Sequence, residues 1–146
     1  MRQSKIYLCI VLIACYCSTQ KRPPWLKENE NRSVHFRIPV FQYEKFTREE
    51  NLFLTEEFAK VWSRETKTEY FIFDEKIATR VLKSGKLIPS SNYLISAEIY
   101  RLKDIIYFNS NIKNLETGEI IASAQIKGKS VDEIKAQFAN LILQFY

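Results

Sequence analysis

A chain of 146 residues, 46% of them hydrophobic, is one domain's worth and can bury a core of its own. It carries 22 Lys and Arg against 17 Asp and Glu, a net charge of +5, but the signs are interleaved, as in "KENENR" and "TREEN". The clustered basic face of a nucleic-acid binder is therefore missing, and three glycines leave little material for a phosphate-cradling loop.

Arg2 and Lys5 precede an uncharged apolar run from Ile6 to Cys17, the order of an export signal. As a helix the run would rise about 18 Å, short of the roughly 30 Å hydrocarbon core, so a transmembrane span is not expected. Every cysteine of the chain, Cys9, Cys15 and Cys17, lies in or beside this run. A zinc site would need four ligands in paired spacings, and one distant His35 does not supply them. A Cys15–Cys17 disulfide would be strained and would staple nothing. Leu12-Ile13-Ala14 before Cys15 resembles the bacterial lipobox, in which a small residue precedes a cysteine that is diacylated and becomes the mature N-terminus. That resemblance implies a signal peptide over 1–14, lipidation of Cys15 and attachment to a membrane. Two or three acyl chains, at about 0.8 kcal/mol per buried methylene, make a stable anchor. Secretion with cleavage near Cys17 and an uncleaved short anchor are the alternatives. Tyr16 stands where some inner-membrane lipoproteins carry aspartate, so the location expected is the outer membrane, facing the periplasm.

Residues 15–32 read as lipidated cysteine and tether, polar and stiffened by Pro23-Pro24, with Trp25-Leu26 as its apolar break. The folded domain spans 33–146. It begins with a strand whose Val34, Phe36, Ile38 and Val40 share one face; Pro39, lacking an amide donor, belongs at a sheet edge or strand end. Thr47-Arg48-Glu49-Glu50 is a capping box opening a helix with the stripe Leu54, Phe58, Val61 and Trp62. "EYFIFD", Glu69 to Asp74, is a near-continuous apolar run of the kind found in an interior strand covered on both faces. Asp74 can cap a second helix carrying Ile77, Ala78, Val81 and Leu82, closed by Gly85.

Three strands follow. Tyr93 to Leu102 turns through Lys103-Asp104 into Ile105 to Leu115, and "ETG" turns again, Gly118 supplying positive φ, into Ile120 to Lys127. Ser130 to Glu133 forms a second capping box, and Val131, Ile134, Phe138, Leu141, Ile142 and Phe145 make one stripe to the end. The fold class expected is α/β (α+β). A β-α-β-α unit leads into a three-stranded antiparallel meander, and a C-terminal helix packs on one mixed sheet.

That order, with "YLISAEIYRLKDIIYFNSNIKNLETGEIIASAQIKGKSVDEIKAQF" from Tyr93 to Phe138, resembles the CsgG/LpoB/FlgO lipoprotein family, whose fold is like the N-terminal domain of TolB. Ile95 to Ile99, Lys103-Asp104, Leu115 to Ile120 and Asp132 to Ile134 occupy the family's strand, turn, strand-end and helix-start places. Early on, "VHFRIPVF" keeps the family's proline and aromatic at Pro39 and Phe41, while Ser96-Ala97 replaces its usual glycine. The resemblance implies a membrane-tethered periplasmic domain that docks on an envelope protein, in assembly or activation of envelope machinery. The chain has no spare amphipathic segments of about ten residues with which to cross a membrane as a barrel.

Chemistry finds little support in the residues. His35, the only histidine, sits on an alternating strand as a surface or satisfied residue would, and no hydrolase, zincin or calcium-loop motif occurs. Glu49-Glu50 and Glu56-Glu57 lie early on the first helix, where they favour its dipole. No catalytic residue, metal, cofactor or small-molecule substrate is assigned, and a protein-binding module is expected. The rings off the main stripes, Trp25, Phe41, Tyr43 and Phe46, are the candidate anchors, with at least one exposed. The competing readings are a ligand-binding or surface-exposed lipoprotein, or a small hydrolase with an unrecognised site.

Overall fold

The alternation of "HFRIP" forms β1 (His35–Pro39) in a computed structural model that describes residues 35–74 and 91–146. The capping box starts α1 (Arg48–Thr66), which leads to β2 (Glu69–Phe73), and then come β3 (Tyr93–Leu102), β4 (Ile105–Asn114) and β5 (Ile120–Gly128). The described chain closes with α2 (Val131–Ala136) and α3 (Phe138–Leu143). The expected second helix, the signal run and the tether lie outside the described residues. Among those described, no helix is long and apolar enough to cross a membrane.

The five strands form one mixed sheet in the order β2-β1-β3-β4-β5, so the expected α/β architecture with helices on a mixed sheet is observed. β1 runs parallel to both neighbours, while β3, β4 and β5 form an antiparallel meander. Leu102 pairs with Ile105 across the two-residue turn, where Lys103 takes φ of 55°. At the other turn Gly118 has φ of 79°, as "ETG" requires. Asn114 builds that turn: its Oδ1 accepts from Glu116 N at 2.8 Å and Thr117 N at 3.2 Å.

Pairing fixes which side chains share a face. Phe36, Ile38, Ile95, Ile99, Phe108, Ile112 and Ile126 point to the face under the helices and are buried. On that face Phe58 of α1 meets Phe41 at 5.2 Å and Phe138 at 5.3 Å, and Trp62 meets Phe36 at 4.9 Å. Such pairs add about 0.5–1.5 kcal/mol each beyond area burial. Trp62 also donates its indole N–H to Thr68 Oγ1 at 3.0 Å, so its polar atom is satisfied. The opposite face of the meander is polar, with Tyr100 stacked on Tyr107 at 5.2 Å and Ser123 donating to Asn111 at 2.7 Å.

Several expectations are corrected. β2 is an edge strand of the sheet rather than an interior one, and Glu69 and Tyr70 are exposed. The expectation for Pro39 holds: β1 is interior, but Pro39 is its last residue, and the ladder resumes with Val40 N donating to Phe73 O at 3.0 Å. The single terminal helix is two short ones, broken at Gln137 (φ −98°, ψ 0°). The Gln137 amide donates to Lys127 O at 2.9 Å and Glu133 O at 3.0 Å, tying the break to the edge of β5. Gln144 Oε1 accepts from Gln125 N at 3.3 Å on the same edge, so side chains cover part of a strand that would otherwise offer itself for pairing. In the second capping box Ser130 Oγ accepts from Glu133 N, but Glu133 Oε2 reaches Lys129 N at 2.8 Å, one residue earlier than in the standard box. Glycine at 128 makes that reach possible, since a Cβ there would lie 2.9 Å from the Glu133 Cβ.

Candidate functional site

The loop from β1 to α1 is shaped by two polar residues of the helix. Asn51 Oδ1 accepts from Tyr43 N at 2.9 Å, and Thr55 Oγ1 accepts from Phe41 N at 2.9 Å while donating to Asn51 O at 2.8 Å. Asn51 and Thr55 are buried, so these bonds satisfy loop amides that water cannot reach. Their effect is to turn Phe41 and Tyr43 inward, to 2% and 3% exposure. Phe41 seats against Phe58 and Phe108, and Tyr43 against Phe46. Two of the four candidate anchors are therefore core residues and present no ring to a partner. Phe46 is half-buried, and Trp25 lies outside the described residues.

Phe46 borders two hollows. One, of about 510 Å³, opens beyond the carboxyl ends of β1 and β2, between Pro39, Phe73, Asp74 and the first turns of α1. Arg48 from α1 pairs there with Asp74, whose side chain is only 10% exposed. The capping box holds this helix end in place: Thr47 Oγ1 accepts from Glu50 N at 3.3 Å and Glu50 Oε2 from Thr47 N at 2.8 Å. His35 is at the opposite end of β1, its Nδ1 3.1 Å from Glu69 Oε2, and joins neither hollow.

The second hollow, of about 420 Å³, is a groove between α1 and α2. Its floor is Phe46, Phe53, Leu54 and Val131; Glu49, Glu50, Asp132 and Lys135 stand around it. Phe53 is 53% exposed and stands beside the other apolar groups of the groove. The Lys135 ammonium lies 5.7 Å from the Phe53 ring centroid and 2.9 Å from Asp132 Oδ1, and both contacts hold its charge at the groove wall. Phe53 escaped the reading of the sequence because it is off the apolar stripe. A phenylalanine on the polar side of an amphipathic helix is itself the signal that could have found it.

No family model matches the chain, and no curated protein is significantly similar to it in sequence. Solved structures are similar in shape. A dodecamer of a PelC point variant from Paraburkholderia phytofirmans superposes with a TM-score of 0.51 at 11% identity, covering 78% of this chain and 90% of that one. The fold is similar to that of PelC. The LpoB C-terminal domain from Salmonella enterica gives 0.47 at 9% identity, over 73% of this chain and 91% of that one. TolB from Acinetobacter baumannii gives 0.46 at 8% identity, over 78% of this chain and 28% of that one. At such identities the likeness is one of fold.

Proposed function

We propose that this chain is a bacterial envelope lipoprotein, held at the outer membrane by lipid on Cys15 and facing the periplasm. In this reading its folded domain is not an enzyme but a protein-binding module in assembly or activation of envelope machinery. The observation that carries the binding role is the groove between α1 and α2, whose apolar floor includes Phe53 at 53% exposure. An apolar floor ringed by charge suits a protein segment, whose side chains supply both kinds of contact. The export run and Leu12-Ile13-Ala14-Cys15 support the anchor. PelC, similar in fold, is a dodecamer, an assembly held by protein contacts.

The test is crosslinking in intact cells, purification of the chain and mass spectrometry of what comes with it. The reading expects an envelope protein in the crosslinked product and a mature N-terminal peptide beginning at an acylated Cys15. A mature chain that begins elsewhere with Cys15 unmodified removes the anchor. Recovery of the chain without any protein partner removes the binding role.

A second reading, a ligand-binding lipoprotein, is favoured by the hollow of about 510 Å³ at the carboxyl ends of the parallel strands. Ligands of open α/β sheets bind in that position. A small molecule bound there would raise the melting temperature of the wild-type chain and not that of an Arg48→Ala variant.

A further inference from the structure

The groove between α1 and α2 has a chemistry of its own, and that chemistry says what should fill it. We propose that it receives a segment of a partner protein that presents one or two bulky apolar side chains flanked by Lys or Arg. This rests on the protein-binding reading above and names the partner's chemistry.

The floor selects the apolar part. Phe46, Phe53, Leu54 and Val131 line it; Leu54 is buried at 2% exposure, while Phe53 leaves about half of its area uncovered. Helix-in-groove recognition uses such a floor, with one or two anchors carrying most of the affinity.

The rim selects the flanks. Three carboxylates, Glu49, Glu50 and Asp132, face one ammonium, Lys135, which Asp132 already contacts at 2.9 Å. The rim is thus net acidic, although Glu50 also serves the capping box by accepting from Thr47 N at 2.8 Å. First-turn positions on α1 and α2 account for acidic residues favouring the helix dipoles. The dipoles do not supply the apolar floor beside those carboxylates, and the two together give the groove its character. Basic flanks on an incoming segment would complement the rim, while acidic segments and anionic lipid surfaces would be repelled by it.

The full-length chain in detergent is titrated with a labelled synthetic peptide whose Leu-Trp-Leu centre is flanked by lysines, and with a twin bearing glutamates instead. The lysine peptide should bind at least about tenfold more tightly than its twin, with a preference that shrinks as salt is raised. Phe53→Ala and Asp132→Lys should each weaken it by roughly tenfold, while Tyr100→Ala on the polar sheet face should leave it unchanged. Circular dichroism checks that each variant is folded. Equal affinity for the two peptides, or an unchanged affinity in Phe53→Ala, overturns the proposal. So does a dimer seen by sedimentation that Phe53→Ala dissolves, which would place a second copy in the groove. In cells, crosslinking to a partner that persists undiminished in Phe53→Ala overturns the groove's role and leaves the binding module standing. Absence of any partner with the wild type overturns both.

Discussion

Phe53 and Phe58 stand on the same helix, a little over one turn apart, and their surroundings have nothing in common. Phe58 is fully buried against Phe41, Phe108 and Phe138, whereas Phe53 is 53% exposed with the Lys135 ammonium 5.7 Å from its ring centroid. One face of α1 closes the core over the sheet, and the other is left as the wall of a groove. On the binding role proposed above, stability and recognition can therefore be changed independently on one helix.

Phe58→Ala should have the largest effect on that division. Losing the ring opens a cavity among three aromatic neighbours, and about 3–5 kcal/mol of stability should go with it, read as a lower urea midpoint. A loss below about 1 kcal/mol would mean that the buried face does not carry the core. Asn51→Ala should cost about 1–3 kcal/mol, because Tyr43 N would lose its partner in a place water does not reach. The same variant should speed hydrogen exchange at the Tyr43 amide, which ties the loop under Phe46 to the helix. Thr47→Ala removes the N-cap and should cost about 1 kcal/mol in the same urea titration, with Glu50→Gln, which keeps a side-chain acceptor, costing less. Phe53→Ala should cost far less than Phe58→Ala, about 1 kcal/mol or less, since about half of the ring is already in water.

How much of this was legible in the sequence follows from whether the cause is local. α1 begins at its capping box because Thr47 and Glu50 need only each other. The meander strands begin and end within a residue of their sequence boundaries, because turn residues at Lys103 and Gly118 determine the pairing from within the hairpins. The place of β2 at the sheet edge was not legible, since an apolar run such as "EYFIF" does not record which strand lies beside it. Nor was the break at Gln137, where one apolar stripe runs through two helices and the deciding bond goes to Lys127 on another strand.

The candidate site was read less well than the fold, and for a specific reason. Phe41 and Tyr43 sit in a loop and off the stripes, so they looked available, but Asn51 and Thr55 draw their amides inward. Those two polar residues fall on the buried face of α1 together with Leu54 and Phe58. Polar groups on an apolar stripe signal buried hydrogen bonds, and here they point to the neighbouring loop as the partner. Phe46, kept half-buried between the two hollows, is the one described candidate that remains at a surface.

The account's central claim is that the Phe53 face of α1 serves a protein partner and not the stability of the domain. The most direct measurement takes one variant, Phe53→Ala, and reads its urea midpoint beside its crosslinking yield to an envelope protein in intact cells. The account expects the midpoint to fall far less than in Phe58→Ala and the crosslinked product to fall by roughly tenfold or more. A midpoint that drops as far as in Phe58→Ala while the crosslinked product persists would contradict it.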